Sequence, residues 1–438
     1  MNEISARNRI AAGLIGRLHI AVAVLVLLSS SGRLSAYSVL THEEIVDLLW
    51  VSEIKPLLLE RFPTLTEAEL REAHAYAYGG SVIQDIGYYP FGDKKFSNFV
   101  HYVRSGDFVT ELIRQSRDAD EYAFALGALS HYAADVSGHP AVNEAVAIAY
   151  PKLRAKYGTS VRYAQDKTAQ LKTEFGFDTY QVSRNRYGSP QYHDFIGFKV
   201  SAPLIERTFP LVYGLQLQDV LKNENLAIGS YRFFISRLIP QMTQVALATH
   251  KKDLISETPD FAKQKFLYRL SRADYEREWG KAYTKPGLGT RILATILRIV
   301  PKIGPFKSLG FNNPTPKTED LYIKSIDATT DHYRDFLEQV RLHNVVLPNY
   351  DLDTGNVTGA AEYSLADDAY ADLLAELSAG QFNKTSPQLR TNILTFYSDL
   401  SQPIETRKDA TRWQEVVVNI GRLKSASLPA LTVSNSAE

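Results

Sequence analysis

The 438-residue chain contains no cysteine, so neither a disulfide framework nor a thiolate zinc site can be built from it. Any metal must be held by histidine, carboxylate, amide or main chain. There is no excess of either charge, with 49 Lys and Arg against 49 Asp and Glu. The basic footprint of an obligatory nucleic-acid partner is therefore missing. Glycine-rich phosphate loops, internal repeats and low-complexity tracts are absent, and β-branched runs are few. What is present is apolar residues recurring with a period near 3.6 over several long segments, which predicts an all-α protein. The length allows two or three domains, each with a full core.

Residues 1–36 read as a signal peptide rather than as fold. Arg7, Arg9 and Arg17 precede the apolar run Ile20–Leu28, and Leu34-Ser35-Ala36 ends in a small residue where cleavage would fall. Such a run is too short to span a bilayer, which takes roughly 20 residues. An uncleaved anchor is the alternative. Cleavage would start the mature chain at Tyr37 and leave 45 basic and 48 acidic residues, a net charge near −3. A secreted or periplasmic protein without a transmembrane span is the expectation.

The chemistry concentrates at Ser130-His-Tyr-Ala-Ala-Asp-Val-Ser-Gly-His139. His131, Asp135 and His139 are four apart and so share one face of a helix. The preceding residues, Glu121 to Ala134, are good helix formers, and Ala123, Ala125, Gly127, Ala128, Ala133 and Ala134 keep that helix thin. Two readings fit. Imidazole, carboxylate and imidazole on an apolar helix suit a divalent metal, because buried polar groups need partners. Alternatively, His131 and Asp135 form a hydrogen-bonded core pair and His139 acts as a cap near Gly138 and Pro140.

Elsewhere, Thr41 with Glu44 and Thr66 with Glu69 read as capping boxes that open helices, the first carrying His42 and the second His74. Asp85 and His101 each stand among apolar and aromatic residues, and Tyr88, Tyr89 and Phe91 either line an approach or pack. Glu174, Asp178 and His193 complete the polar set. Beyond about residue 200 the pattern is of helices without such sites, and a domain boundary is expected near 255. Asn312–Lys317 and Asn349–Gly359 read as connections. The basic amphipathic segment Arg291–Ile303 suits burial against the preceding domain, with a lipid surface as the alternative.

The ordered set His42, Asp85, His101, His131-x-x-x-Asp135, His139 and Glu174 resembles the zinc-dependent phospholipase C family, all-helical bacterial enzymes that include the alpha-toxin type. The catalytic domain of that family is similar also to the N-terminal part of glycosylphosphatidylinositol-specific phospholipase D and, more remotely, to single-strand-specific zinc nucleases. The likeness covers roughly Tyr37 to Phe198. It implies a multi-helix phospholipase C/nuclease-like bundle over residues 37–255, with residues 256–438 as a helical C-terminal extension of no assigned role. It also implies three zinc ions in a cleft. One would be held by the amino group and carbonyl of Tyr37 with His42 and Asp135. Another would be held by Asp85, His101, His131 and Asp135, and a third by His139 with a His-x-x-x-Glu on a later helix. Here that last motif reads Gln170-Leu-Lys-Thr-Glu174. An amide oxygen is a poor zinc ligand beside imidazole, so two firmly held zinc ions and a weaker third are expected, unless His193 or Asp178 fills the place.

The resemblance implies hydrolysis of phospholipids at a membrane surface, with Asp85 as general base and zinc lowering the pKa of a coordinated water towards about 7. A zinc nuclease of the same fold is the enzymatic alternative, and a non-catalytic zinc-containing lipid- or surface-binding protein is the other.

Overall fold

The computed structural model describes residues 39–183, 198–233, 235 and 312–427. The segment read as a signal peptide, Tyr37, His193, Arg291–Ile303 and the boundary expected near 255 all lie outside them. The described residues are mostly helical, with almost no strand. Helices α1 (Val39–Leu49), α2 (Lys55–Arg61), α3 (Glu67–Gly80), α4 (Lys94–Tyr102), α5 (Ser105–Gln115), α6 (Ala119–Ala149), α7 (Pro151–Tyr157) and α8 (Lys167–Ser183) come first. They are followed by α9 (Ala202–Tyr213), α10 (Leu217–Val220), α11 (Glu224–Phe233), α12 (Pro316–Arg341), α13 (Ser364–Ala379), α14 (Pro387–Phe396) and α15 (Ala410–Ser425). One small antiparallel ribbon pairs Tyr350–Asp351 with Asn356–Val357.

Helix α6 is the axis of the fold. Asp118 caps it by accepting from the Glu121 N–H, and Asp120 and Glu121 place negative charge in its first turn. Its small residues let neighbours approach to backbone contact, as the sequence predicts. A Cβ at Gly127 would fall 2.0 Å from the Ala77 carbonyl oxygen of α3, and one at Gly80 would fall 1.9 Å from that of Phe124. Helix α12, from the other end of the chain, also packs extensively on α6, with Tyr333 donating to the Leu126 carbonyl. One apolar core runs from Val39 to Leu423 and joins residues on both sides of 236–311.

Two local expectations meet different outcomes. The Thr66–Glu69 capping box forms as predicted. The Thr41–Glu44 box does not, because the helix already includes Val39 and Thr41 is buried within it. The Thr41 hydroxyl instead donates to Asp178 Oδ1 at 2.6 Å and shares a 2.8 Å hydrogen bond with the Tyr322 hydroxyl. Tertiary partners have taken over a side chain whose local pattern suggested a cap. Asp178 and Tyr322 thereby hold the start of the helix that carries His42.

Candidate metal centre

The face of α6 holds His131, Asp135 and His139, all fully buried. The helix continues through Gly138 and Pro140 to Ala149, so His139 caps nothing. Three further elements bring polar groups to this face. Helix α1 supplies His42, whose ring stacks on His131 with centroids 4.3 Å apart. Helix α4 supplies His101. The tight turn Ile83–Tyr88 supplies Asp85, and Ser97 pins that turn to α4 by accepting from the Gly87 N–H and donating to the Gln84 carbonyl.

All four imidazoles turn Nε2 towards Asp135. The distances are 3.0 Å for His131 and 3.5 Å for His101, both to Oδ2, and 3.7 Å for His42 and 4.0 Å for His139, both to Oδ1. Asp85 Oδ1 lies 3.3 Å from His101 Nε2 on the Oδ2 side. Neither oxygen of Asp135 makes a hydrogen bond, and Asp85 Oδ1 and both ring nitrogens of His139 are likewise without one.

Local structure sets the tautomers. His101 Nδ1 lies 2.8 Å from the Ser97 carbonyl, one turn back in α4, and His131 Nδ1 lies 2.9 Å from the Ser81 carbonyl. A carbonyl can only accept, so Nδ1 carries the proton and the Nε2 of a neutral ring is left as a lone pair. Ser81 follows α3 directly and reaches His131 because Gly80 and Gly127 let the two helices close together.

The electrostatics are strongly coupled. Burial disfavours charge on His131, but the carboxylates of Asp135 and Asp85 outweigh it and raise the ring from its ordinary 6.5 to about 9. His101 is also raised, with Asp85 and Asp135 again overcoming burial. His42 is lowered to about 3, first by burial and then by the adjacent charge of His131. Burial would raise Asp135, yet His131, His139 and His42 hold it well below the usual carboxylate range. Without metal, neighbouring imidazoles are thus driven to opposite charge states. Divalent metal removes the need, because it takes neutral imidazole and ionised carboxylate together.

The donor set of imidazole and carboxylate without thiolate suits zinc. Among the described residues two buried groups have ligand atoms close enough to hold an ion: His42, His131 and Asp135, and Asp85, His101 and His131. Gln170 and Glu174 lie one turn apart on α8, both buried, with no hydrogen bond to either amide atom or either carboxylate oxygen. Burial pushes the Glu174 carboxyl well above its ordinary range against the lowering influence of the neighbouring Gln170 amide, and the charges of Asp135, Asp353 and Asp85 add to the rise.

Other residues have different duties. Asp178, considered as a substitute for the missing imidazole at 170, is committed to the Leu40 N–H and the Thr41 hydroxyl at the start of α1. Tyr88 and Tyr89 are packed in the core, Tyr88 against the His101 ring, while Phe91 is exposed. Sequence reasoning missed Asp353, whose Oδ1 lies 3.6 Å from His139 Nδ1. Its only local signal is the turn Asp351-Leu-Asp353-Thr-Gly355, which reads as a connection.

No curated protein and no solved structure matches the chain. A family model does, and its bounds take in His42, Asp85, His101, His131, Asp135, His139, Gln170 and Glu174 but not Asp353. Over residues 41–222 the chain matches the family described as zinc dependent phospholipase C.

Proposed function

We propose that this protein is a secreted or periplasmic zinc-dependent phosphodiesterase that hydrolyses phospholipids on the glycerol side of the phosphate. The observation that carries the reading is the convergence of four imidazole Nε2 atoms on the two oxygens of one buried carboxylate, Asp135. It lies within the segment that matches the zinc-dependent phospholipase C family. Asp135 would bridge two ions, with Asp85, His101 and His131 on its Oδ2 side and His42 on its Oδ1 side. The amino group and carbonyl of Tyr37 would complete the His42 site, and His139 with Glu174 would hold a third ion. Bound zinc supplies positive charge for the phosphodiester and lowers the pKa of water towards about 7.

The chain's own groups do the rest. The Ser81 and Ser97 carbonyls keep His131 and His101 as Nε2 donors without reorganisation. Asp85, whose Oδ1 makes no hydrogen bond, would accept the proton of the attacking water. Among the described residues no helix is long and apolar enough to cross a membrane.

Zinc-loaded protein should be assayed side by side on phosphatidylcholine vesicles and on single-stranded DNA. Release of phosphocholine, abolished by a chelator and restored by zinc, is the expected result. Cleavage of DNA with no action on lipid would replace this reading by the nuclease one. Zinc-loaded protein inert on both would leave a binding protein.

A further inference from the structure

Among the described residues beyond the family-matched segment, Asp353 is the one whose carboxylate reaches a site imidazole, and its surroundings are built to put it there. The Asn143 side-chain amide, one turn after His139 on α6, donates to the Asp353 carbonyl at 3.1 Å. The Leu352 N–H donates to the His101 carbonyl at 3.2 Å, and the Asp353 N–H donates to Asp351 Oδ1 at 3.0 Å. Gly355 brings the turn down onto α6. Its φ is +73°, and a Cβ there would stand 2.6 Å from the Val136 carbonyl oxygen. That carbonyl is the one Pro140, lacking an N–H, leaves without its helical partner. A proline inside α6 and a glycine more than two hundred residues later therefore fit one another.

The same construction divides the work of the Asp353 carboxylate. Oδ2 accepts from the hydroxyls of Tyr102 at 2.8 Å and Tyr363 at 2.6 Å. Oδ1 is left facing His139 Nδ1 at 3.6 Å, and that ring makes no hydrogen bond elsewhere. A shift of about 0.5 Å would bring the pair into hydrogen-bonding range.

We propose that Asp353 is a positioning residue that accepts the Nδ1 proton of His139 in a hydrogen bond and so presents Nε2 to the third metal. This rests on the metal reading of the site and goes beyond it. His101 and His131 are anchored in the same sense, but by neutral carbonyls. An anionic acceptor makes the ring it holds a stronger donor, and the third site is where this chain needs one, since Gln170 stands at the imidazole position. Asp353 offsets part of that loss from the opposite side of the ring.

Zinc titration of the full chain against a competing chelator tests this. In Asp353→Ala the weakest zinc should lose about 10–100-fold in affinity, the range for an outer partner of a ligating histidine, while the tighter ions are unchanged. Asp353→Asn should fall between, because its amide oxygen still accepts the proton but carries no charge. If Asp353→Ala does not fold, Tyr363→Phe, which releases one anchor of Oδ2, should weaken the same ion severalfold. Unchanged zinc affinities in folded Asp353→Ala, with only a lower melting temperature, would overturn the proposal. So would unchanged affinities in Tyr363→Phe if that is the variant tested. Unmodified protein that binds no zinc at all would instead overturn the metal reading, and this proposal with it.

Discussion

Among the described residues are two buried histidine–aspartate clusters, and they are built differently. At Asp47 the carboxylate is in contact with its partners: His74 Nε2 at 2.9 Å and the Tyr78 hydroxyl at 2.6 Å, both on Oδ1. The His74 ring stacks on Trp50 with centroids 3.8 Å apart. At Asp135 four rings stand 3.0 to 4.0 Å away and the carboxylate makes no hydrogen bond. Two of those rings spend their Nδ1 protons on main-chain carbonyls instead. A polar group that serves packing closes onto its partner, since an unmade buried hydrogen bond costs about 1–3 kcal/mol. The Asp135 cluster holds three of its four rings at 3.5, 3.7 and 4.0 Å and turns every Nε2 to a common space, which is the arrangement a cation stabilises.

The largest expected effects separate the clusters by mutation. Asp135→Asn should lose at least one zinc and reduce turnover more than about a hundredfold, beyond what an outer-shell partner costs, because an amide cannot bridge two cations. Asp47→Asn should leave zinc content unchanged in the folded protein and cost about 1–3 kcal/mol in stability. Elemental analysis beside denaturant melts reads both. Equal loss of zinc in the two variants would erase the distinction.

Next in size is metal removal. Chelation should lower stability by about 4 kcal/mol relative to protein held at a thousandfold excess of zinc over its dissociation constant. Asp135→Asn should respond less and Asp47→Asn as fully as the unmodified chain.

A pH profile sharpens the same contrast. In metal-free protein the raised His131 contributes stability that is complete below pH 6.5 and is lost as pH climbs through about 9. The lowered Asp135 contributes above its ordinary 3.8 and is lost as pH falls below that. The chelated protein should therefore lose stability between pH 6.5 and 9. The zinc-loaded protein should not, because the metal keeps His131 neutral already. Zinc affinity should rise over the same interval, and parallel melting profiles with and without zinc would refute the coupling.

The smallest effect concerns the third site. Gln170→His should raise the weakest zinc affinity about tenfold and leave the others alone, provided the new ring finds an outer partner. Chelator competition on the two proteins measures it, and no change would mean another residue already fills that place.

Much of this comparison is legible in the sequence, and the illegible part has a physical cause. The four-residue spacing of His131, Asp135 and His139 puts them on one face whatever surrounds the helix. The alanines and Gly127 announce the close approach of α3, and Thr66 with Glu69 announces its start. Each of these is decided within one helical turn. Thr41 misleads because its hydroxyl answers to Asp178 and Tyr322, far off in the chain. Asp353 is invisible for the same reason, since nothing within the turn at 351–355 states that it will be laid against a proline-freed carbonyl of α6. The helix also passes through Pro140, where a local reading would stop it.

Metal content tests the central claim most directly. The purified protein, saturated with zinc and then freed of excess, should retain at least two zinc ions per molecule by elemental analysis. Asp135→Asn treated in parallel should retain fewer. Folded, unmodified protein that emerges with no bound metal would contradict the account, and the Asp135 cluster would then be a polar core of the same kind as that at Asp47.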